Sequence, residues 1–234
     1  MIKRILKIVG FLVGLILLGL FMYAWIISKP LPEGKSGPEA DALANKMLTV
    51  LNVEAYKNTT ILEWNFRNGA NTYRWNKETG KVMVSWKDYA VNLNLSNPNK
   101  SKVYKNDKVL TTKDKEKLIK TAVDYFNNDS FWLVAPFKVF DKGVIRTIVD
   151  LEDGSQGLLV TYTQGGTTPG DSYLWVLNPN GFPNSFKMWT KVIPIGGLEA
   201  SWDDWIVTDS GAFLPKSHEF GPLTFHIGNL KGYH

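Results

Sequence analysis

The chain has 234 residues, is 44% hydrophobic and 13% aromatic, and contains nine Trp. It has no cysteine, which excludes a disulfide framework, a thiolate nucleophile, a thiolate zinc site and a lipidated N-terminal Cys. The net charge is +5, but Lys3, Arg4 and Lys7 precede any acid, and the near-neutral remainder lacks the basic stripe of a phosphate-backbone binder, so no nucleic-acid partner is expected.

The first element is apolar. Ile8 to Ile27 carries no charge. At about 1.5 Å per residue such a helix spans roughly 30 Å, the thickness of a bilayer's hydrocarbon core. Tyr23 and Trp25 stand near its end, where amphipathic rings favour the membrane interface. Lys3, Arg4 and Lys7 favour a cytoplasmic N-terminus and an extracytoplasmic body. A cleaved signal peptide is the competing reading. Its apolar core would be shorter, and "AWIISKP" offers no small-residue cleavage site. Residues 1–28 are therefore expected to be an uncleaved inner-membrane anchor. Residues 29–37, within "SKPLPEGKSGP", read as a linker.

Residues 38–234 are expected to form one β-rich domain. Ala40, Leu43, Ala44, Met47, Leu48 and Leu51 make one face of a helix, with capping-box spacing between Ser36 and Glu39. Strands follow with period-two alternation. Leu62, Trp64 and Phe66 share one face, then Tyr73 and Trp75, then Val82, Val84 and Trp86, then Tyr89, Val91 and Leu93. The short turns between them require antiparallel pairing. Thr111 and Asp114 have capping-box spacing before a second helix faced by Leu118, Ile119, Ala122, Val123 and Phe126. "NNDS" is read as its end. "SFWLVAPFK", 130–138, is then the apolar connection that seats this helix, with Pro136 arguing against a central strand. Further strands are expected near 144–151, 157–164, 172–178, 184–192, 197–207, 212–219 and 223–228. The fold class is mainly β (α+β): a strongly curved antiparallel sheet or unclosed β-barrel, with two or more helices on its concave face.

"NDSFWLVAPFKVFDKGV", "VTYTQGGTTPGDSYLWVLNPNGFPNSFKMW" and "SWDDWIV" resemble segments of a Bacteroidetes envelope-protein family. That family is similar to the bacterial lipoprotein carriers and their outer-membrane receptors (LolA/LolB-like). The resemblance implies an open β half-barrel with helices as a lid over an apolar cavity. It also implies a lipid, acyl chain or lipidated protein as partner. Without a lipidated Cys, an anchored chain suits a receptor or local lipid holder better than a shuttle.

Chemistry-bearing patterns are sparse. "TQGGTTPGDS" is Gly-rich but lacks the lysine and helix of a phosphate loop, and reads as a hairpin loop or a cavity rim. In "SWDDW", strand alternation puts Asp203 and Asp204 on opposite faces unless a turn or bulge intervenes. His218 and His226 lack helical metal-ligand spacing. No G-x-S-x-G occurs. No catalytic residue, metal or cofactor is expected, although Asp171, Asp203, Asp204 and His218 are the groups a hydrolase would use. The aromatic set is the strongest signal. Trp64, Phe66, Trp75, Trp86, Phe131, Trp132, Phe137 and Trp175 are the candidates for an apolar cavity wall, against the alternative of ordinary core.

Overall fold

The computed structural model describes residues 2–234. Helix α1 (Ile2–Ile27) contains Val9–Ile27, long and apolar enough to cross a membrane. Helices α2 (Pro38–Val50) and α3 (Val53–Asn58) follow, the second of them unanticipated. Four strands then form a meander: β1 (Ile61–Phe66), β2 (Asn71–Asn76), β3 (Lys81–Trp86) and β4 (Tyr89–Asn94). Strands β5 (Lys102–Lys105) and β6 (Lys108–Val109) extend it before helix α4 (Lys115–Val134). The second series comprises β7 (Val144–Asp150), β8 (Gln156–Tyr162), β9 (Ser172–Leu177), β10 (Pro183–Trp189) and β11 (Leu198–Ser201). Short strands complete the chain: β12 (Ile206–Val207), β13 (Phe213–Leu214), β14 (Ser217–Phe220), β15 (Leu223–His226) and β16 (Gly228–Tyr233).

The fold is α+β, with antiparallel sheets that do not close. The strands divide between two main sheets rather than one. The first runs β16-β1-β2-β3-β4-β5-β6 and the second β11-β10-β9-β8-β7. The β14–β15 hairpin joins them. Asp203, just past β11, bridges to Ser217, and β15 runs through Ile227 into β16. The expected strand at 197–207 is broken because the segment 202–205 turns, and that at 212–219 is interrupted at Pro215 and Lys216. Asp204, in that turn, adopts a left-handed φ of 50°.

Alternation in the sequence sets both interiors. In the first sheet Trp64 pairs with Tyr73, Tyr73 with Val84, Val84 with Val91 and Val91 with Val103, giving one buried row across five strands. Ile119, Ala122 and Phe126 of α4 pack on that side. In the second sheet the row is Ala200, Phe186, Trp175, Leu158 and Ile148, covered by Ala40, Ala44 and Met47 of α2. The two rows face separate hydrophobic cores. Trp132 and Phe137 pack against both.

Three local expectations need correction. Neither capping box forms: the N-caps are Gly37 and Asp114, without a side-chain cap bond. "NNDS" does not end α4, which continues through Ser130–Val134 into a 3₁₀ turn at Ala135–Lys138. Pro136 fits the first turn of that 3₁₀ segment, where a missing N–H costs nothing. The linker is also not free. Lys29 N donates to Gly196 O at 2.9 Å, and Lys35 exchanges backbone bonds with Ile148 at 2.9 Å each way.

Candidate functional site

A cavity of about 820 Å³ lies between the two sheets, along the C-terminal half of α4. Its apolar wall combines Phe126, Phe131, Trp132 and Val134 of the helix with Tyr162, Tyr173, Phe186 and Met188 of β8, β9 and β10. Trp75 and Leu95 reach in from the first sheet. The walls are mutually packed aromatics. Phe131 lies 4.6 Å from Tyr173 and 5.6 Å from Tyr162, ring centre to ring centre. Trp132 lies 5.7 Å from Phe186 and 5.5 Å from Phe225. Such contacts fix ring orientation as well as burying area.

Of the eight aromatic candidates, the cavity brings together Trp75, Phe131 and Trp132. Trp64, Phe66, Trp86 and Trp175 are buried core. Trp64 stacks on Tyr73 at 4.7 Å, and Trp175 packs at 5.3 Å from Phe186 and 5.0 Å from Trp202. Phe137 stacks on Tyr56 at 3.9 Å. Strand alternation alone does not separate these roles, because both wall and core face inward.

The Gly-rich stretch supplies part of the rim. The segment is the hairpin loop between the antiparallel strands β8 and β9, and its Gln164–Thr168 and Asp171 also line the cavity. The loop is pinned at its base, where Thr163 donates to Gly143 O from both N (2.9 Å) and Oγ1 (2.7 Å). Gly165 and Gly166 take φ of 78° and 63°, a region other residues enter at a cost. Across the mouth Asn127 Nδ2 donates to Thr167 Oγ1 at 3.2 Å. Apart from the buried Asp171, the charged groups that line the cavity stand at its edge. Arg67, Asp124 and Lys142 stand there, with Lys138 paired to Asp141 at 2.8 Å. Inside, burial raises the Tyr162 and Tyr173 phenols well above their ordinary range, and the nearby Asp171 adds to the Tyr173 shift. Both stay neutral, as an apolar wall requires.

Of the groups a hydrolase would use, Asp203, Asp204 and His218 gather around Ser201 and Ser217, and Asp171 lies apart at the cavity. Asp171 accepts from Lys191 N at 2.9 Å and from Thr168 Oγ1. Asp203 accepts from Ser201 Oγ, and Asp204 accepts from Ser217 Oγ at 2.6 Å. These bonds hold loops in place. The turn also puts Trp202 and Trp205 in a stack at 5.9 Å, where simple alternation placed them on opposite faces. His218 is fully buried, with Nδ1 donating to Ser201 O at 2.8 Å and the ring between Trp132 and Trp202. Desolvation lowers its pKa. His218 pairs with Phe225 across the hairpin, while His226 is exposed opposite Ser217.

One buried group escaped sequence reasoning. Asp129, inside α4, is completely buried and accepts from Tyr73 Oη (2.5 Å), Asn71 Nδ2 (2.8 Å) and Asn128 Nδ2 (2.9 Å). Arg67 approaches it at 3.5 Å. Its position on the same helical face as Phe126 and Leu133, three and four residues away, was the available signal.

No family model matches this chain, no curated protein matches it, and no solved structure matches it.

Proposed function

We propose that this protein is a membrane-anchored, non-enzymatic binding protein for a hydrophobic ligand: a lipid, an acyl chain or the lipid moiety of a lipoprotein. In this reading α1 is an uncleaved signal anchor. The N-terminus is cytoplasmic and the β domain lies on the extracytoplasmic side of the inner membrane. The two sheets, joined through the β14–β15 hairpin, act as one open half-barrel with α2 and α4 as its lid.

The observation that carries the reading is the cavity. Its volume of about 820 Å³ falls in the size range of small-molecule sites, and its wall is mainly aromatic and aliphatic, with Asp171 the buried carboxylate beside it. Each methylene of a chain buried there contributes about 0.8 kcal/mol. The alternative, an envelope protein- or glycan-interaction module with a filled core, leaves that space unexplained.

Native mass spectrometry of the full chain in mild detergent, followed by organic extraction, tests the proposal. A co-purifying lipid, or stoichiometric uptake of a fluorescent fatty acid, is expected. A chain that carries no lipid and takes up no fatty acid overturns it.

A further inference from the structure

The cavity and the membrane-length helix meet at a single loop. Val192 and Ile193 line the cavity. A few residues on, Gly196 is held by the first residues after α1. Gly196 N donates to Ser28 Oγ at 3.0 Å, Lys29 N donates to Gly196 O at 2.9 Å, and Trp189 Nε1 donates to Lys29 O at 2.8 Å. The tie needs glycine, since a Cβ at position 196 would meet Lys29 O at 2.4 Å and Trp189 Cδ1 at 2.5 Å. The Lys35–Ile148 bridge gives a second fixed point, so the domain does not swing on its anchor.

This geometry sets the height of the loop. Tyr23 and Trp25, within the last turns of α1, are 63% and 76% exposed and suit the interface between hydrocarbon and headgroups. Ser28 follows immediately, and with it Gly196. Val192 is 74% exposed, a large apolar side chain at the edge of an apolar cavity and close in sequence to the helix tie. Lys191 immediately precedes it, a cation that suits phosphate headgroups.

We infer that the 190–196 loop rests in the outer leaflet of the anchoring membrane, and that the cavity takes its ligand from that leaflet rather than from water. This rests on the anchored, ligand-binding reading above and names the source of the ligand. The partner surface is the phospholipid leaflet itself.

The native absence of cysteine makes the test clean. Full-length Val192→Cys, labelled with an environment-sensitive fluorophore, is placed in phospholipid nanodiscs containing nitroxide lipids. Strong quenching by the nitroxide lipids and shielding from iodide are expected. In the same chain Gly196→Val breaks the tie, and the label then moves into water. Gly196→Val, which lies outside the cavity wall, is expected to slow fatty-acid pickup from vesicles several-fold while leaving uptake from monomeric solution unchanged. A label that iodide reaches freely and nitroxide lipids do not quench overturns the inference, even if fatty acid binds. Loss of uptake from solution in the unmutated chain overturns the binding reading instead, whatever the label reports.

Discussion

The Tyr73 hydroxyl donates to the Asp129 carboxylate at 2.5 Å, joining the middle of β2 to the inner face of α4. Asn71 adds a second donor from the same strand at 2.8 Å. A buried carboxylate is tolerable only when its lone pairs are satisfied, so this cluster fixes the register of the helix on the sheet. Asp129→Ala leaves a buried phenol and a buried amide without their acceptor. The expected loss is about 1–3 kcal/mol of stability for each buried donor left without a partner. Asp129→Asn keeps one acceptor oxygen and is expected to lose less. Urea denaturation of both variants in mild detergent measures the difference.

Trp132, like Phe137, packs against both cores. Its ring contacts Phe186, His218 and Phe225 at 5.7, 5.1 and 5.5 Å. Trp132→Ala is expected to cost about 3–5 kcal/mol, the usual penalty for truncating a large aromatic in a packed interior. It also widens the cavity. Denaturation together with fatty-acid titration separates two roles. Lower stability with unchanged affinity assigns Trp132 to the joint between the cores. Altered affinity in a variant that remains folded assigns it to the ligand wall.

How much of this was legible in the sequence differs by element. The buried row Trp64–Tyr73–Val84–Val91 follows from alternation, which any half-buried antiparallel strand must show. The apolar faces of α2 and α4 follow from helical periodicity. The extent of α4 did not, because "NNDS" is a terminating signal only when its polar side chains find no tertiary partner. Asp129 finds Tyr73 and Asn71, and tertiary contact overrides local preference. The cavity was legible only as an excess of aromatics. Trp75 and Trp64 alternate inward alike, and whether one faces a void depends on distant packing. The contacts of residues 29–37 were not legible for a similar reason, since Gly34 signals close approach as readily as flexibility.

Asn127 and Thr167 close the mouth with one exposed hydrogen bond at 3.2 Å. A bond of this kind contributes about 0.5–1.5 kcal/mol at most, and less in water's competition. Asn127→Ala is therefore expected to leave the denaturation midpoint nearly unchanged. It should raise both the uptake and release rates of a bound fatty acid, because the Gly165–Gly166 tip then loses its tie to α4 while its ends stay pinned at Gly143 and Asp171. Stopped-flow fluorescence reads both rates. Unchanged exchange would remove the loop from the entry route.

His218 makes stability depend on mild acid. Desolvation lowers its folded pKa below the usual 6.5. In the unfolded chain the ring protonates near its ordinary value, while in the folded chain it resists. The unfolded state therefore binds more protons as pH falls below about 6.5, and folding stability declines there. His218→Phe keeps an aromatic between Trp132 and Trp202 but gives up the bond to Ser201 O. It is expected to be less stable at pH 7 and to lose less between pH 7 and pH 5 than the unmutated chain. Denaturation at the two pH values gives the comparison.

Gly34 tests whether residues 28–37 are a spacer or a strap. A Cβ there would meet Thr147 Oγ1 at 2.4 Å and Ile148 O at 2.9 Å, and neither side of that contact is a flexible chain end. Gly34→Ala must displace the strap from the edge of β7, losing the paired backbone bonds of Lys35 and Ile148. Overpacking of this kind costs about 1–3 kcal/mol. Here the cost falls on a local docking equilibrium, because the buried rows of both sheets lie elsewhere. The global unfolding transition is expected to move little. Backbone amides of Lys35 and Ile148 should exchange with deuterium much faster, and a protease should cleave between Lys29 and Lys35 in the folded protein. A strap that stays protected in Gly34→Ala would show that β7 yields instead, and Thr147 is then the residue that moves.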